Sequence, residues 1–231
     1  MFGALDLIVH EDLEAMSLSV ARRIAQIAAQ AIKDRGTFRV ALAGGETPRR
    51  CYELLRDKPV DWRQVQVYFG DERCLPCADT QRNDSMVQDA LLGHIALQPG
   101  NVHAIPAEHG ARIAAVEYAA LLEHVLPLDL VLLGLGEDGH TASLFPGNPA
   151  TKLDEVVVPV FDAPKPPPER VSLGMGTLNS ARAKIFLVSG KSKQGAMEQI
   201  MRGVLLPAAR VAGAKWHVDR AALPGGIPAQ N

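Results

Sequence analysis

The sequence contains few cysteines, little net charge and no long uncharged apolar run. Three cysteines among 231 residues are too few for a disulfide framework, so we expect a reduced, cytoplasmic setting. The 24 Lys and Arg residues nearly balance the 26 Asp and Glu residues, which excludes the positive field that non-specific nucleic-acid binding requires. No apolar run approaches the roughly 20 residues of a membrane span, and an acidic residue as early as Asp6 is atypical of a signal peptide. We therefore expect neither a nucleic-acid nor a membrane partner.

Short apolar, β-branched runs alternate with amphipathic stretches along the chain. Strands are predicted at 37–43, 65–69, 102–105, 130–133 and 184–189. Helices are predicted at 11–35, 84–97, 111–125 and 192–202. A further helix is predicted to begin with Thr47 as its N-cap and Pro48 as its first residue. This alternation favours an α/β fold, a single three-layer Rossmann-like domain over residues 1–222 with a mainly parallel sheet covered by helices on both faces. The proline-rich segment 146–168 is interpreted as an irregular surface excursion, and residues 223–231 as a loose C-terminal tail.

Three polar clusters follow predicted strands directly, where open α/β sheets bind their ligands. The glycines of Gly44-Gly45-Glu46-Thr47 suit a phosphate, because they allow close backbone approach at a helix N-terminus. A plain strand–helix turn with two solvated arginines, Arg49 and Arg50, explains this cluster about equally well. In the second cluster, a loop at Asp71 and Arg73, the arginine is suited to hold a phosphate or carboxylate, and a surface ion pair is the alternative.

The third cluster, residues 136–141, contains the histidine that we single out as functional. His140 is flanked by glycine and acid at the end of the most apolar predicted strand. An imidazole with a pKa near 6.5 can serve as general base and then as general acid. Asp138 has two possible roles, binding His140 directly or binding substrate hydroxyls.

Two further motifs are interpreted as coincidental. Residues 134–139 match G-x-G-x-x-G, but Pro146 breaks the chain soon afterwards and Glu137 and Asp138 would repel a pyrophosphate. Cys74 and Cys77 match C-x-x-C without a second pair, so no metal site is expected. Ser143 does not lie in a G-x-S-x-G elbow, which disfavours a covalent acyl-enzyme.

Six blocks spread along most of the chain resemble the 6-phosphogluconolactonase family: 41–55, 67–76, 128–147, 170–179, 186–197 and 215–222. The resemblance implies that His140 is the catalytic base and that anionic groups are bound by Arg73, Arg170, Lys193 and the loop of Gly44, Gly45 and Thr47. It also places Asp71 and Asp138 near the sugar, with roles that the sequence leaves interchangeable. Glu46 departs from the family, which usually has a serine there.

The related glucosamine-6-phosphate deaminases are the rival enzymes. Their motif around the histidine resembles D-G-H-I-A-F-N-E-P, which has a glutamate five residues after the histidine. This chain has Phe145 at that position. The resemblance therefore implies hydrolysis of a small phosphorylated sugar lactone, with no cofactor, by a monomer or small homo-oligomer. Backbone N–H groups at 136–140 are the candidates for stabilising the oxyanion. A non-catalytic sugar-phosphate binding module is the alternative from another class.

Overall fold

A central parallel sheet and a smaller antiparallel sheet organise the protein, for which a computed structural model describes residues 5–225. The strands are β1 Asp6–His10, β2 Phe38–Leu42, β3 Val65–Phe69, β4 Asp71–Arg73, β5 Leu130–Gly134, β6 Val157–Val160, β7 Arg170–Leu173, β8 Ala183–Val188 and β9 Lys215–Asp219. The α-helices are α1 Leu13–Arg35, α2 Glu46–Leu55, α3 Asn83–Ala90, α4 Ala111–Leu122, α5 Met175–Ser180 and α6 Gln194–Met201. The six-stranded sheet has the order β1-β9-β8-β5-β2-β3, and the second sheet has the order β4-β7-β6.

The central strands are apolar on both faces, as predicted for a covered parallel sheet. Residues 130–133 of β5 are all buried, and β5 pairs in parallel with β2 on one side and β8 on the other. Burial on both faces removes the period-two alternation of a half-exposed strand. The predicted α/β Rossmann-like fold with a mainly parallel sheet is confirmed.

Helix α1 shows how local signals set the boundaries of an element. The Asp12 side chain accepts a hydrogen bond from the Ala15 N–H at 2.8 Å, which caps the helix N-terminus. Gly36 ends the helix with a left-handed φ of 73°, a conformation that glycine adopts without strain. Met16, Val20 and Ile24 are buried on the face that α1 presents to the core.

The second sheet was not foreseen in the sequence. Residues 71–73, predicted as a loop, form strand β4, and β6 lies inside the proline-rich segment predicted to be irregular. Both pair antiparallel with β7. The Leu173 N–H donates to the Gly70 carbonyl at 2.8 Å, so this sheet is joined to the end of β3. It therefore carries β7 to the carboxyl edge of the large sheet.

Other boundaries also differ from prediction. Thr47 is not an N-cap, because α2 begins at Glu46 and Gly45 is its cap. The predicted strand 102–105 is reduced to a single bridge between Val67 and Val102. The helices predicted at 84–97, 111–125 and 192–202 are shorter, since their ends turn into 3₁₀ segments or loops.

Part of the expected tail, residues 226–231, lies outside the described residues, as do residues 1–4 of the expected domain. Within residues 5–225, no helix is long and apolar enough to cross a membrane.

Candidate active site

The three polar clusters meet in a cleft of about 380 Å³ at the carboxyl ends of β2, β3, β5 and β8. Eight of the nine predicted site residues line it: Gly44, Gly45, Thr47, Asp71, Arg73, His140, Arg170 and Lys193. The ninth, Asp138, contacts His140. Chain segments that are far apart in sequence converge here because the ends of parallel strands lie along one edge.

The imidazole of His140 is oriented by the carboxylate of Asp138. His140 Nδ1 lies 2.6 Å from Asp138 Oδ1, and the His140 backbone N–H donates to the same oxygen at 3.1 Å. A carboxylate at Nδ1 favours the tautomer that carries its proton on Nδ1. That tautomer leaves Nε2 with a free lone pair, as a general base requires.

The electrostatics of the cleft keep His140 neutral near pH 7. Burial lowers the pKa of His140; Asp138 and Asp71 act in the opposite direction and Lys165 reinforces the lowering, with a net shift downward. Burial alone would raise the pKa of Asp138, but the N–H and the charge of His140 outweigh it, so this carboxyl remains ionised. The pair is therefore a neutral base beside a fixed negative charge.

The turn that carries His140 depends on a glycine at 136. A Cβ atom at Gly136 would lie 2.0 Å from His140 Nδ1, which only the absence of a side chain avoids. The turn also satisfies its own backbone: Gly136 N–H donates to the His140 carbonyl at 2.8 Å, and Gly139 N–H to the Gly136 carbonyl at 3.0 Å. No helix begins between 134 and 139, in agreement with the rejection of the dinucleotide motif. The N–H groups of Gly136, Gly139 and His140, which were among the candidates for binding an oxyanion, donate to acceptors within the turn instead.

Phe145 stands five residues after His140, where the deaminases have a glutamate, and packs against the imidazole. Its ring centroid lies 4.4 Å from that of His140, with a 43° angle between the planes. The Phe145 side chain is almost completely buried. It provides apolar burial for the imidazole and no proton relay.

Asp71 is held away from His140 Nδ1 by partners of its own. Its Oδ2 accepts a hydrogen bond from Ser143 Oγ at 2.6 Å, and its Oδ1 accepts one from Asn83 Nδ2 at 3.2 Å. The structure thus separates the two acids, since Asp138 alone contacts His140. Ser143 is buried and its hydroxyl is committed to Asp71, which agrees with the prediction that it is not a nucleophile.

Arg73 and Arg170 enter the cleft from neighbouring strands of the second sheet, where they are register partners. Arg73 donates to the Gln81 carbonyl, and its buried Nε has no hydrogen-bond partner among the described residues. Arg170 is tied to a loop: Nε donates to the Pro167 carbonyl at 3.1 Å, and Nη2 donates to the Lys165 carbonyl at 2.9 Å. Burial lowers the pKa of Arg170, with Asp71 opposing this effect.

The glycine loop and Lys193 complete the cleft. Gly45 adopts a φ of 99° and caps α2 without a side-chain hydrogen bond. The amide groups at this N-terminus are suited to an anion. Lys193 follows β8, at the start of α6, and burial lowers its pKa. The two nearby arginines each pair with an acid: Arg50 with Glu14 at 2.7 Å and Arg49 with Glu46 at 3.7 Å.

Sequence reasoning missed Asn83 and Lys165, which also line the cleft. Asn83 Nδ2 donates to the Asp71 carbonyl at 2.8 Å. The Asn83 side chain, with Oδ1 nearest, lies so close to Gly44 that a Cβ atom on residue 44 would clash with it. Lys165 lies three residues before Pro168 in the proline-rich segment. Its position just ahead of the 170–179 block was the available signal, but the segment was interpreted only as irregular.

The described residues contain no group of three or more His, Cys, Asp or Glu side chains arranged to hold a metal ion. Cys74 is partly buried, Cys77 is exposed, and both are free thiols.

Comparison with known proteins identifies the family of the chain. A family model described as glucosamine-6-phosphate isomerases/6-phosphogluconolactonase matches residues 11–219. The chain is 35% identical to the 6-phosphogluconolactonase of Streptomyces coelicolor, over 94% of this chain and 92% of that protein.

Solved structures give the same result for the fold. The crystal structure of 6-phosphogluconolactonase from Thermotoga maritima matches this protein with a TM-score of 0.87 and 27% sequence identity. The match covers 94% of this chain and 100% of the Thermotoga chain. A monomeric glucosamine-6-phosphate deaminase shares the fold, with a TM-score of 0.81 and 23% identity, over 94% of this chain and 98% of that one. The family resemblance inferred from the sequence is confirmed: the chain belongs to the family of glucosamine-6-phosphate isomerases and 6-phosphogluconolactonases.

Proposed function

We propose that the protein hydrolyses 6-phosphoglucono-δ-lactone to 6-phosphogluconate, with His140 as the general base. The observation that carries this proposal is the 2.6 Å contact between Asp138 and His140 Nδ1 in a cleft that also contains Arg73 and Lys193. It places a neutral, oriented base and cations for an anionic substrate in the same small volume. The names of the relatives support the substrate.

The hydrolysis requires one proton to be taken up and returned. His140 Nε2 removes a proton from water, and the resulting hydroxide adds to the lactone carbonyl carbon. The tetrahedral intermediate then collapses, the bond to the ring oxygen breaks, and that oxygen receives the proton from the imidazolium. The negative charge of Asp138 stabilises the imidazolium between the two steps.

The phosphate of the substrate carries about two negative charges at pH 7. We propose that this phosphate is bound by Arg73, Lys193 and the backbone of Gly44 and Gly45. Thr47, in the first turn of α2, and Arg170, beside Arg73, lie next to these groups in the cleft. Binding the remote phosphate converts binding energy into orientation of the carbonyl next to His140. Asp71, whose carboxylate is already hydrogen-bonded, contributes charge near the imidazole.

Phe145 disfavours the deaminase reaction, because an apolar ring stands where that chemistry needs a carboxylate. A sugar-phosphate sensor is the second alternative; it would bind 6-phosphogluconate without turnover. A cytoplasmic location, a monomer or small homo-oligomer, and the lack of a nucleic-acid partner stay predictions from the sequence.

A coupled assay tests the proposal by comparing lactone hydrolysis, corrected for the spontaneous rate, with ammonia release from glucosamine 6-phosphate. We expect hydrolysis and no ammonia. Ammonia release would assign the chain to the deaminases, and product binding without hydrolysis would make it a sensor.

A further inference from the structure

The lactone carbonyl oxygen becomes negatively charged during hydrolysis, and a donor must face it. The turn of the catalytic base does not provide one at Gly136, Gly139 or His140, whose N–H groups already donate to acceptors within residues 136–140. An oxyanion left without a hydrogen-bond donor or a cation beside it would be costly. A charged side chain on another element of the cleft can provide that partner.

Arg170 is better placed to hold a loop than to follow a changing charge. Its Nε and Nη2 donate to the carbonyl oxygens of Lys165, Pro166 and Pro167, at 2.9 to 3.1 Å. Its guanidinium carbon also lies 5.5 Å from the centre of the Phe145 ring, which packs on His140. Arg170 thus fixes the backbone of residues 165–167 against the face of the cleft that contains the base.

Lys165 is the cation that this anchored loop presents to the cleft. Its side chain lines the cleft and is half-exposed. Its ion-pair partner is Glu137, on the turn of the base, at the long Nζ–Oε2 distance of 4.0 Å. A half-exposed pair at this distance is weak, so the ammonium can move to a nearby anionic oxygen at little cost.

The charge of Lys165 also acts on the base. It lowers the pKa of His140, against the opposing charges of Asp138 and Asp71. Its pairing with Glu137, three residues before His140, brings Lys165 next to the turn that carries the imidazole. Lys193 is the other cation near this loop: burial lowers its pKa, and the charge of Lys165 adds to that lowering.

We propose that Lys165 is a catalytic residue whose ammonium group stabilises the oxyanion that forms on the lactone carbonyl, and that Arg170 is the positioning residue that holds it there. The inference rests on the proposed lactonase function. It differs from phosphate binding in one respect: the interaction strengthens only as charge develops, so its loss lowers kcat more than it weakens ground-state binding.

The test compares Lys165→Met, Lys165→Arg and the control Lys191→Met, which removes an exposed lysine of the turn before α6. Lys165→Met is expected to lower kcat about 30- to 300-fold and to change the Kd for 6-phosphogluconate less than about threefold. Lys165→Arg is expected to restore part of the rate, since it keeps the charge. The control is expected to keep wild-type kinetics, and melting curves check that all variants fold.

The pH profile provides a second readout. Asp138 and Asp71 raise the pKa of His140 and Lys165 lowers it, while Arg170 and Lys193 are the other cations lining the cleft. Removing the positive charge of Lys165 therefore shifts the acid limb of kcat/KM to higher pH. A purely structural role for the lysine would leave this limb in place.

Three outcomes overturn the inference in a wild-type protein that is active. The first is a kcat of Lys165→Met within twofold of the wild-type value. The second is a higher KM of Lys165→Met with unchanged kcat, which would place Lys165 on the phosphate. The third is a loss of kcat in Lys191→Met as large as that in Lys165→Met. A wild-type protein that hydrolyses the lactone no faster than the spontaneous rate overturns the proposed function itself, which is a distinguishable result.

Discussion

Arg73 and Arg170 lie directly opposite each other in the antiparallel pairing of β4 with β7. Like charges at opposed positions of a sheet repel, and the charge of Arg73 lowers the pKa of Arg170. The buried carboxylate of Asp71 offsets part of this repulsion. Both arginines line the cleft, where an anionic ligand would relieve the repulsion between them.

Replacing Arg73 should weaken the binding of phosphorylated ligands. We expect Arg73→Met to raise the Kd for 6-phosphogluconate about 10- to 100-fold, since a hydrogen bond to a charged group contributes about 1.5–3 kcal/mol. Gluconate, which has no phosphate, should lose little affinity. Calorimetric titration measures both, with Arg63→Met, an exposed arginine paired with Asp61, as the control. An equal loss for gluconate would contradict the assignment of Arg73 to the phosphate.

Removing the base should abolish most of the rate and leave binding intact. We expect His140→Ala to lower kcat about 10²- to 10⁴-fold, the usual contribution of general acid–base catalysis, with the Kd for 6-phosphogluconate nearly unchanged. The matched control is His109→Ala, because His109 is exposed and pairs with Glu117 away from the cleft lining. A wild-type kcat in His140→Ala would exclude His140 as the base.

The charge of Asp138 should set both the tautomer of His140 and the pH at which it works. Asp138→Asn removes a group that raises the pKa of His140, so the imidazole should protonate only at lower pH. Activity requires the neutral imidazole and is lost below its pKa; the acid limb of kcat/KM should therefore move to lower pH. We expect kcat to fall as well, because an amide can stabilise the wrong tautomer. Rate profiles between pH 4 and pH 8 measure both effects, and an acid limb that moves upward would contradict them.

A methyl group at position 136 should displace the base without unfolding the protein. The Cβ of Gly136→Ala would overlap His140 Nδ1 at 2.0 Å, which forces the ring to rotate away from Asp138. We expect a drop in kcat of at least about tenfold, with product binding kept. Gly195→Ala is the control, since a Cβ atom there meets open space in α6. If both variants keep wild-type kcat, the close approach at Gly136 has no catalytic importance.

A buried histidine outside the cleft should make stability depend on pH. Burial lowers the pKa of His217 to about 4, with further lowering by His10, Lys215 and Arg23 and an opposing effect of Asp6. Its Nδ1 lies 3.0 Å from His10 Nε2. The folded pKa lies below the unfolded value near 6.5, so this contribution is complete above pH 6.5 and is lost as the pH falls towards 4. We expect a loss of about 2 kcal/mol in the free energy of unfolding between pH 7 and pH 5.

Urea denaturation at the two pH values measures this loss. In His217→Gln the difference between pH 7 and pH 5 should be smaller than in the wild type. In His124→Gln, which removes an exposed histidine, it should be retained. Identical pH dependence in all three proteins would refute the role of His217.

The local residue pattern was enough to predict the parallel sheet, the place of His140 and the three clusters at the strand ends. These features depend on local signals: unbroken apolar runs predict buried strands such as β5, and the residues that follow a strand must lie at its carboxyl edge. The family blocks added Arg170 and Lys193, which local signals do not mark.

Which groups contact each other depends on the tertiary structure. It assigned Asp138 rather than Asp71 to His140, because Asp71 is held by Ser143 and Asn83 from other elements. It paired β4 with β7, brought Lys165 of the proline-rich loop into the lining of the cleft, and engaged the N–H groups of Gly136, Gly139 and His140. These contacts join residues far apart along the chain, and their geometry is set by strand register and packing, which the local residue pattern does not encode.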